Sequence, residues 1–333
     1  MSDYGKHGMH AVAALSRLGR EPAGASFASR VLAGGLSGSV VHHVELTGQH
    51  MVLKVTLPSE DRQLMARACR EIWFYRDLAT LVPVHVPHVL GFDLSETEGA
   101  VLLLAAYKPS PAPDDWTEHS YVQVAHQLGQ LHARFWATTP ASPLPDWLHT
   151  KPEVTQDQCL GAARLWRALG KRDDLRDALA PNLWRLENLL VSIPALKRQM
   201  PTTPATLCHG DFHADNLLRG PTGEWIWADW QEVRLGPGVE GLAFFWQRAF
   251  AAADTPPPHD AMVRAYVAGL ATVDGPLISR EQVDRALAWA ELRSWLVDWP
   301  GYLGALSTAR IARVLRRIDT LMSRLERGSH LYL

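Results

Sequence analysis

Leu207-Cys208-His209-Gly210-Asp211-Phe212-His213-Ala214-Asp215-Asn216 leads through the turn Arg219-Gly220-Pro221-Thr222-Gly223 into Glu224-Trp225-Ile226-Trp227-Ala228-Asp229-Trp230. The second segment reads as a strand over 224–230. Strand alternation then puts Trp225, Trp227 and Asp229 on one face, with Asp229 at the end beside two large aromatics. The Gly- and Pro-bearing turn makes the two segments a hairpin, which brings Asp211 and Asp229 together.

Working outward, residues 40–46 and 50–57 predict two strands joined at Thr47-Gly48-Gln49. In the second, Met51, Leu53, Val55 and Leu57 form a core face, and Lys54 points the other way. Ahead of them, Ala33-Gly34-Gly35-Leu36-Ser37-Gly38-Ser39 is a turn whose small residues let backbone amides approach a ligand. It lacks the Lys-Ser/Thr ending of a P-loop. A helix is expected from Pro58-Ser59-Glu60 to about Leu78, with Ser59 as N-cap, Leu64, Ala68, Ile72 and Tyr75 on one stripe, and Glu71 on the same helix. Val101–Ala106 is apolar throughout and suits a strand buried on both faces. The Pro-rich stretch 108–115 is the natural boundary, after which helical spacing dominates: Val124, Leu128, Leu131 and Phe135, then Leu183, Leu186 and Leu190, then Ile311, Leu315, Ile318 and Met322. Helices are expected over 280–299 and 309–326. No internal repeat is visible.

The 333 residues predict about two domains. With 33 basic against 35 acidic residues there is no overall field to draw nucleic acid or anionic lipid. Cys69, Cys159 and Cys208 are odd in number and far apart, which encodes neither a disulfide framework nor a thiolate zinc site. The N-terminal apolar run Ala11–Leu15 is too short for a signal-peptide core, and 100–107 is too short to span a membrane. The expectation is a soluble, cytoplasmic chain, monomer or homodimer, whose partner is a small molecule.

Phosphoryl transfer needs a cradle for phosphates, a fixed cation, hard oxygen ligands for Mg²⁺, and a carboxylate that orients or deprotonates the attacking hydroxyl. The chain offers these in order. The turn with Gly35, Ser37, Gly38 and Ser39 can cover phosphates, Lys54 can pair with them, and Glu71 can hold Lys54. Asp211 supplies the base, and Asn216 and Asp229 are oxygen ligands of the kind Mg²⁺ prefers. His209, Asp211, His213 and Asp215 also alternate as a transition-metal site might require, but no second ligand cluster accompanies them. His209 reads better as a structural hydrogen-bonding residue, and His213 as exposed.

These residues resemble the aminoglycoside phosphotransferase and choline-kinase-like enzymes. His209-Gly210-Asp211-Phe212-His213-Ala214-Asp215-Asn216 is similar to their H-G-D-x-x-x-x-N catalytic loop, and Ala228-Asp229-Trp230-Gln231 to the metal-binding strand that follows. The likeness extends to Lys54, to 70–75 and to 128–136, and so spans about 32–250. It implies an α+β, two-lobed, protein-kinase-like fold. The N-lobe, 1–107, would hold a small, mostly antiparallel sheet with one helix; the C-lobe, 108–333, would be mainly helical. It also implies Asp211 as catalytic base, Asn216 and Asp229 as magnesium ligands, Lys54 on the phosphates of ATP or GTP, and the backbone at Ala105 to Tyr107 against the base. About ten residues separate Asp229 from the apolar stretch at Val239, which leaves no room for a protein kinase's activation segment and favours a small-molecule hydroxyl acceptor.

Where the family often has an aspartate that steadies the catalytic loop, this chain has Gly241; Glu240 is the candidate substitute. Trp289, Trp295 and Trp299 either pack the core or stack on an acceptor. Glu240, Asp260, Glu291 and Asp298 could attract a cationic acceptor, but Arg293, Arg310, Arg313, Arg316 and Arg317 are interleaved with them. The expected acceptor is an antibiotic, with a metabolite such as choline, a sugar or an amino alcohol as the alternative. A nucleotide-binding pseudoenzyme and a purely structural protein are disfavoured by the full set Lys54, Glu71, Asp211, Asn216 and Asp229.

Overall fold

The computed structural model describes residues 3–20, 27–32, 39–59, 61–138, 144–196, 202–271 and 278–329. Its N-terminal part comprises α1 (Asp3–Arg17), β1 (Phe27–Val31), β2 (Val40–Leu46), β3 (Gln49–Thr56), α2 (Arg62–Asp77), β4 (Val89–Ser95) and β5 (Gly99–Ala105). The five strands form one antiparallel sheet in the order β1-β2-β3-β5-β4. The β2–β3 hairpin turns at Thr47 (φ 50°) and Gly48 (φ 78°), the paired left-handed geometry that suits the twist of a two-residue hairpin.

The sheet is covered on both faces. Met51, Leu53, Val55, Val101 and Leu103 pack beneath Ala11, Ala14 and Leu15 of α1. Ala100, Leu102 and Leu104 face α2 and join the main core. β5 is therefore apolar at every position because each alternate set has its own cover. The sheet carries two helices, where the sequence predicted one. Leu57 falls outside β3 and is exposed, so the apolar face ends at Val55. The start of α2 also differs: Asp61 is the N-cap, its carboxylate accepting from Gln63 N at 2.9 Å, while Ser59 Oγ accepts from Asp61 N.

The C-terminal part is helical around two short two-stranded sheets. It runs through α3 (Glu118–Arg134), α4 (Gln156–Gly170), α5 (Arg176–Leu196), β6 (Ala205–Cys208), β7 (Leu217–Arg219), β8 (Trp225–Trp227) and β9 (Arg234–Pro237). The remaining helices are α6 (Gly238–Ala252), α7 (His259–Leu270), α8 (Arg280–Val297), α9 (Pro300–Leu303) and α10 (Thr308–Ser329). Strands β7 and β8 pair as the predicted hairpin, and β6 pairs with β9. Helices α3 and α7 cross closely enough that a Cβ on Gly129 would lie 2.3 Å from the Tyr266 carbonyl oxygen.

Helices α7, α8 and α10 meet at a buried charge. Glu291, fully buried, accepts from His259 Nε2 at 2.6 Å and from Arg317 at 3.0 and 2.7 Å. Burial pushes its pKa up, but His259 and Arg317 outweigh burial and hold it below 4.5. A depressed carboxylate stabilises the fold above its unfolded pKa, and that contribution is lost as pH falls through the folded value. Glu291→Gln should cost about 3–5 kcal/mol near neutral pH, because it strands Arg317. The gap from wild type in denaturant unfolding should narrow as pH drops below 4.5.

Candidate active site

Lys54 Nζ sits between two carboxylates, 2.8 and 2.9 Å from Glu71 and 2.6 Å from Asp229 Oδ1. Three elements converge to place them: β3 carries Lys54 on its α2-facing side, α2 carries Glu71, and Asp229 follows β8. Burial disfavours the charge on Lys54, but the two carboxylates outweigh it and raise its pKa. Glu71 is also raised, by burial first and by the nearby Asp229 charge. One cation between two acids leaves a net negative cluster in a low-dielectric setting, so Lys54 and Glu71 hold their protons more tightly.

Asp229 is not the last residue of a strand. β8 ends at Trp227, and Asp229 adopts a left-handed conformation (φ 67°) that starts a 3₁₀ turn over Trp230–Glu232. Strand alternation therefore does not set its direction. The turn is clamped to α2 instead: Trp230 stacks on Phe74 with ring centroids 4.0 Å apart, Arg70 donates to the Gln231 carbonyl at 2.7 Å, and Arg67 pairs with Glu232 at 2.6 Å. This clamp holds Glu71 and Asp229 around Lys54, and sequence reading missed it. Arg67 and Arg70, three apart on one helix face, were its only local signal.

The loop before β7 is held by its own backbone. His209 Nε2 donates to the Ala228 carbonyl at 2.9 Å, tying the loop to the segment that carries Asp229. Asn216 Nδ2 donates to the Asp211 carbonyl at 2.9 Å, which orients the Asn216 side chain. Gly210 has φ +91°, and a Cβ there would lie 1.9 Å from the Glu232 carbonyl oxygen. Gly210→Ala should displace the loop and lower turnover roughly 100-fold while the fold persists, as misplacement of about 1 Å typically does; steady-state kinetics beside far-UV circular dichroism checks this.

His213 is largely buried rather than exposed, with Nε2 3.5 Å from Asp211 Oδ2 and Nδ1 3.3 Å from Asp215 Oδ2. Burial alone would raise the Asp211 pKa, but His213, His209 and Arg248 together lower it, so Asp211 stands ionised. Glu240 does not reach the loop. It accepts from Lys151 at 2.6 Å and lies 3.3 Å from Arg293, which removes it as the substitute for the missing aspartate.

Of the glycine-rich turn, Gly35, Ser37 and Gly38 lie outside the described residues. Ser39 is beside Lys54 and Glu71 at a small cavity, its hydroxyl 2.6 Å from that of Thr56. The Ala105 amide is committed to the His88 carbonyl at 2.9 Å, and the Ala106 amide to that of His50 at 3.2 Å. The Tyr107 amide has no partner among the described residues. Trp289, Trp295 and Trp299 are buried; Trp299 also borders a cavity of about 540 Å³ that contains Asp211, Asn216 and Asp229. None of the described helices is long and apolar enough to cross a membrane.

The sequence pattern of the Phosphotransferase enzyme family matches residues 29–276. The chain belongs to that family. Among solved structures, this phosphotransferase is similar to the GDP complex of wild-type aminoglycoside 2'-phosphotransferase-IIIa, with TM-score 0.58 and 13% identity over 95% of this chain and 98% of that one. It is also similar to the choline kinase LicA from Streptococcus pneumoniae, with TM-score 0.59 and 12% identity over 97% and 100%. A third is the choline kinase from Cryptosporidium parvum, with TM-score 0.56 and 12% identity over 90% of each chain. At these identities the likeness shows the fold, kinase-like and two-lobed. No curated protein matched the chain. Family membership makes it a small-molecule phosphotransferase.

Proposed function

We propose that the enzyme transfers the γ-phosphoryl group of ATP or GTP to a hydroxyl of a small molecule, with Asp211 as the catalytic base. The observation that carries this is the Lys54–Glu71–Asp229 cluster held against the Asp211–Asn216 loop by the α2 clamp. Lys54, fixed by Glu71, binds the nucleotide phosphates, and Ser39 with Gly35, Ser37 and Gly38 covers them. The Tyr107 amide is the backbone donor left for the base. The GDP bound in aminoglycoside 2'-phosphotransferase-IIIa supports keeping GTP beside ATP, as the sequence resemblance already implied.

The residues present fit a magnesium ion. Asn216 has its amide nitrogen anchored, which leaves the amide oxygen as a ligand, and the net negative cluster around Asp229 gains from added positive charge. Bound there, the ion would neutralise charge that builds on the transferring phosphates. Asp211 orients the acceptor hydroxyl and takes its proton, its carboxylate kept ionised by His213.

We place the lobe boundary at residues 107 and 108. Lys108 already pairs its backbone with Arg219 of β7, so the chain enters the helical lobe there. An antibiotic remains the first reading of the acceptor, with a metabolite as alternative. The test is mass spectrometry of pooled hydroxylated antibiotics and metabolites after incubation with Mg-ATP or Mg-GTP. A phosphorylated product with wild type and none with Asp211→Asn is expected; equal product from both would overturn the assignment.

A further inference from the structure

The acceptor side of the cleft is larger than the part that touches Asp211. A second cavity of about 680 Å³ shares Gly210, Arg234, Phe244, Asp298 and Tyr302 with the first, so the two form one continuous space. Its far wall is basic. Two carboxylates are each divided between two cations: Glu240 on this wall between Lys151 (2.6 Å) and Arg293 (3.3 Å), and Glu232 on the wall of the first cavity between Arg67 (2.6 Å) and Arg70 (3.4 Å). Asp298, half-exposed, is 3.8 Å from Arg293.

Arg234 lies between these two groups with no carboxylate of its own among the described residues. Among the described residues its side chain makes one hydrogen bond, a long one of 3.4 Å to the Glu232 carbonyl. It opens β9 on the same face as Gly236, and both line the second cavity. Of the charged groups lining this second cavity, Arg67, Lys151, Arg234 and Arg293 are cations and only Glu240 and Asp298 are acids. The surrounding groups register the surplus: Lys151 is lowered by burial and then by Arg293, and His149 by burial and then by Arg70 and Arg234. Cations drawn from water without partners are costly, and a ligand anion is the missing partner.

Resting on the phosphotransferase reading above, we infer that the acceptor carries an anionic group, a carboxylate or phosphate, which Arg234 binds while the acceptor's hydroxyl reaches Asp211. Arg234 supplies the charge-assisted donors, and Lys151 and Arg293 strengthen the field behind it. A polycationic aminoglycoside would meet the same wall with like charge. This sets the acceptor class for antibiotic and metabolite alike, and it disfavours the cationic acceptor that the acidic residues of the sequence suggested. Glu240 and Glu291 are occupied by basic partners, and Asp260 pairs with Arg264 and Arg280.

Gluconate, sorbitol and glucamine test this, because they share a polyhydroxylated six-carbon chain and differ in charge at one end. Binding is followed by calorimetry on the full chain, with and without saturating Mg-ATP or Mg-GTP. Gluconate should bind at least tenfold more tightly than sorbitol, with glucamine weakest. Arg234→Gln should weaken gluconate roughly 10- to 100-fold, the usual worth of a charge-assisted contact. Arg234→Lys should restore part of it, and nucleotide affinity should be the same in all three proteins. Equal binding of the three probes, no binding of any, a preference that survives Arg234→Gln, or gluconate displaced by nucleotide would each overturn the inference. Failure of wild type to bind nucleotide would instead count against the phosphotransferase reading.

Discussion

Asp211→Asn is expected to lower kcat by about 10²–10⁴ while nucleotide affinity stays within a few-fold of wild type. The asparagine keeps the size and an oxygen able to accept from the hydroxyl, so the acceptor still docks. What is lost is basicity. The loop should hold its shape, because Asn216 bonds to the backbone carbonyl of residue 211 rather than to its side chain, and His209 anchors the loop from the other end through Ala228. Lys54 lies in a separate cluster with Glu71 and Asp229, so the nucleotide phosphates keep their cation. Steady-state kinetics with the acceptor found by mass spectrometry, beside calorimetry of nucleotide binding, separates the two effects. A kcat within tenfold of wild type would remove Asp211 as the base.

That the loop could be found at all reflects how much of the site is local in sequence. Asp211 and Asn216 share one turn, and the β7–β8 hairpin is written in Gly220, Pro221 and Gly223, so spacing and turn chemistry suffice. The β2–β3 hairpin and β5 were legible for the same reason, since alternation records which faces are covered. Where direction depends on a backbone reversal, alternation fails: Asp229 was read onto a strand face, yet it sits in a left-handed conformation that no periodicity encodes.

Long-range pairing was also invisible. Glu240 looked free to steady the loop, because nothing in its neighbourhood shows that Lys151, 89 positions earlier, closes on it. Helix α1 was missed because its buried face is built from Ala11, Ala14 and Leu15, too small and short a stripe to stand out beside its glycines and histidines. The basic wall is the largest such gap. Its charges come from α2, from the segment before α4, from β9 and from α8, and in sequence each is an ordinary solvated arginine or lysine.

Asp229→Asn should be at least as severe as loss of the base, lowering kcat/KM by about 10³ or more, since a metal at a transferring phosphoryl group is worth several kcal/mol of charge stabilisation. Asparagine is the informative replacement because it tolerates the left-handed backbone at φ 67°. Alanine would add a conformational cost of roughly 1 kcal/mol and confuse folding with chemistry. The fold should survive in the asparagine variant: Trp230 stays stacked on Phe74, Arg70 keeps the Gln231 carbonyl, and Lys54 keeps Glu71. The electrostatic consequence is specific. With one carboxylate gone, the cluster changes from net negative to balanced, so the pull on a divalent cation falls and the magnesium concentration for half-maximal rate should rise at least tenfold. A magnesium titration of the variant at saturating nucleotide reads this directly. An unchanged magnesium requirement together with a large rate loss would mean that Asp229 acts by holding Lys54 and not by binding the metal.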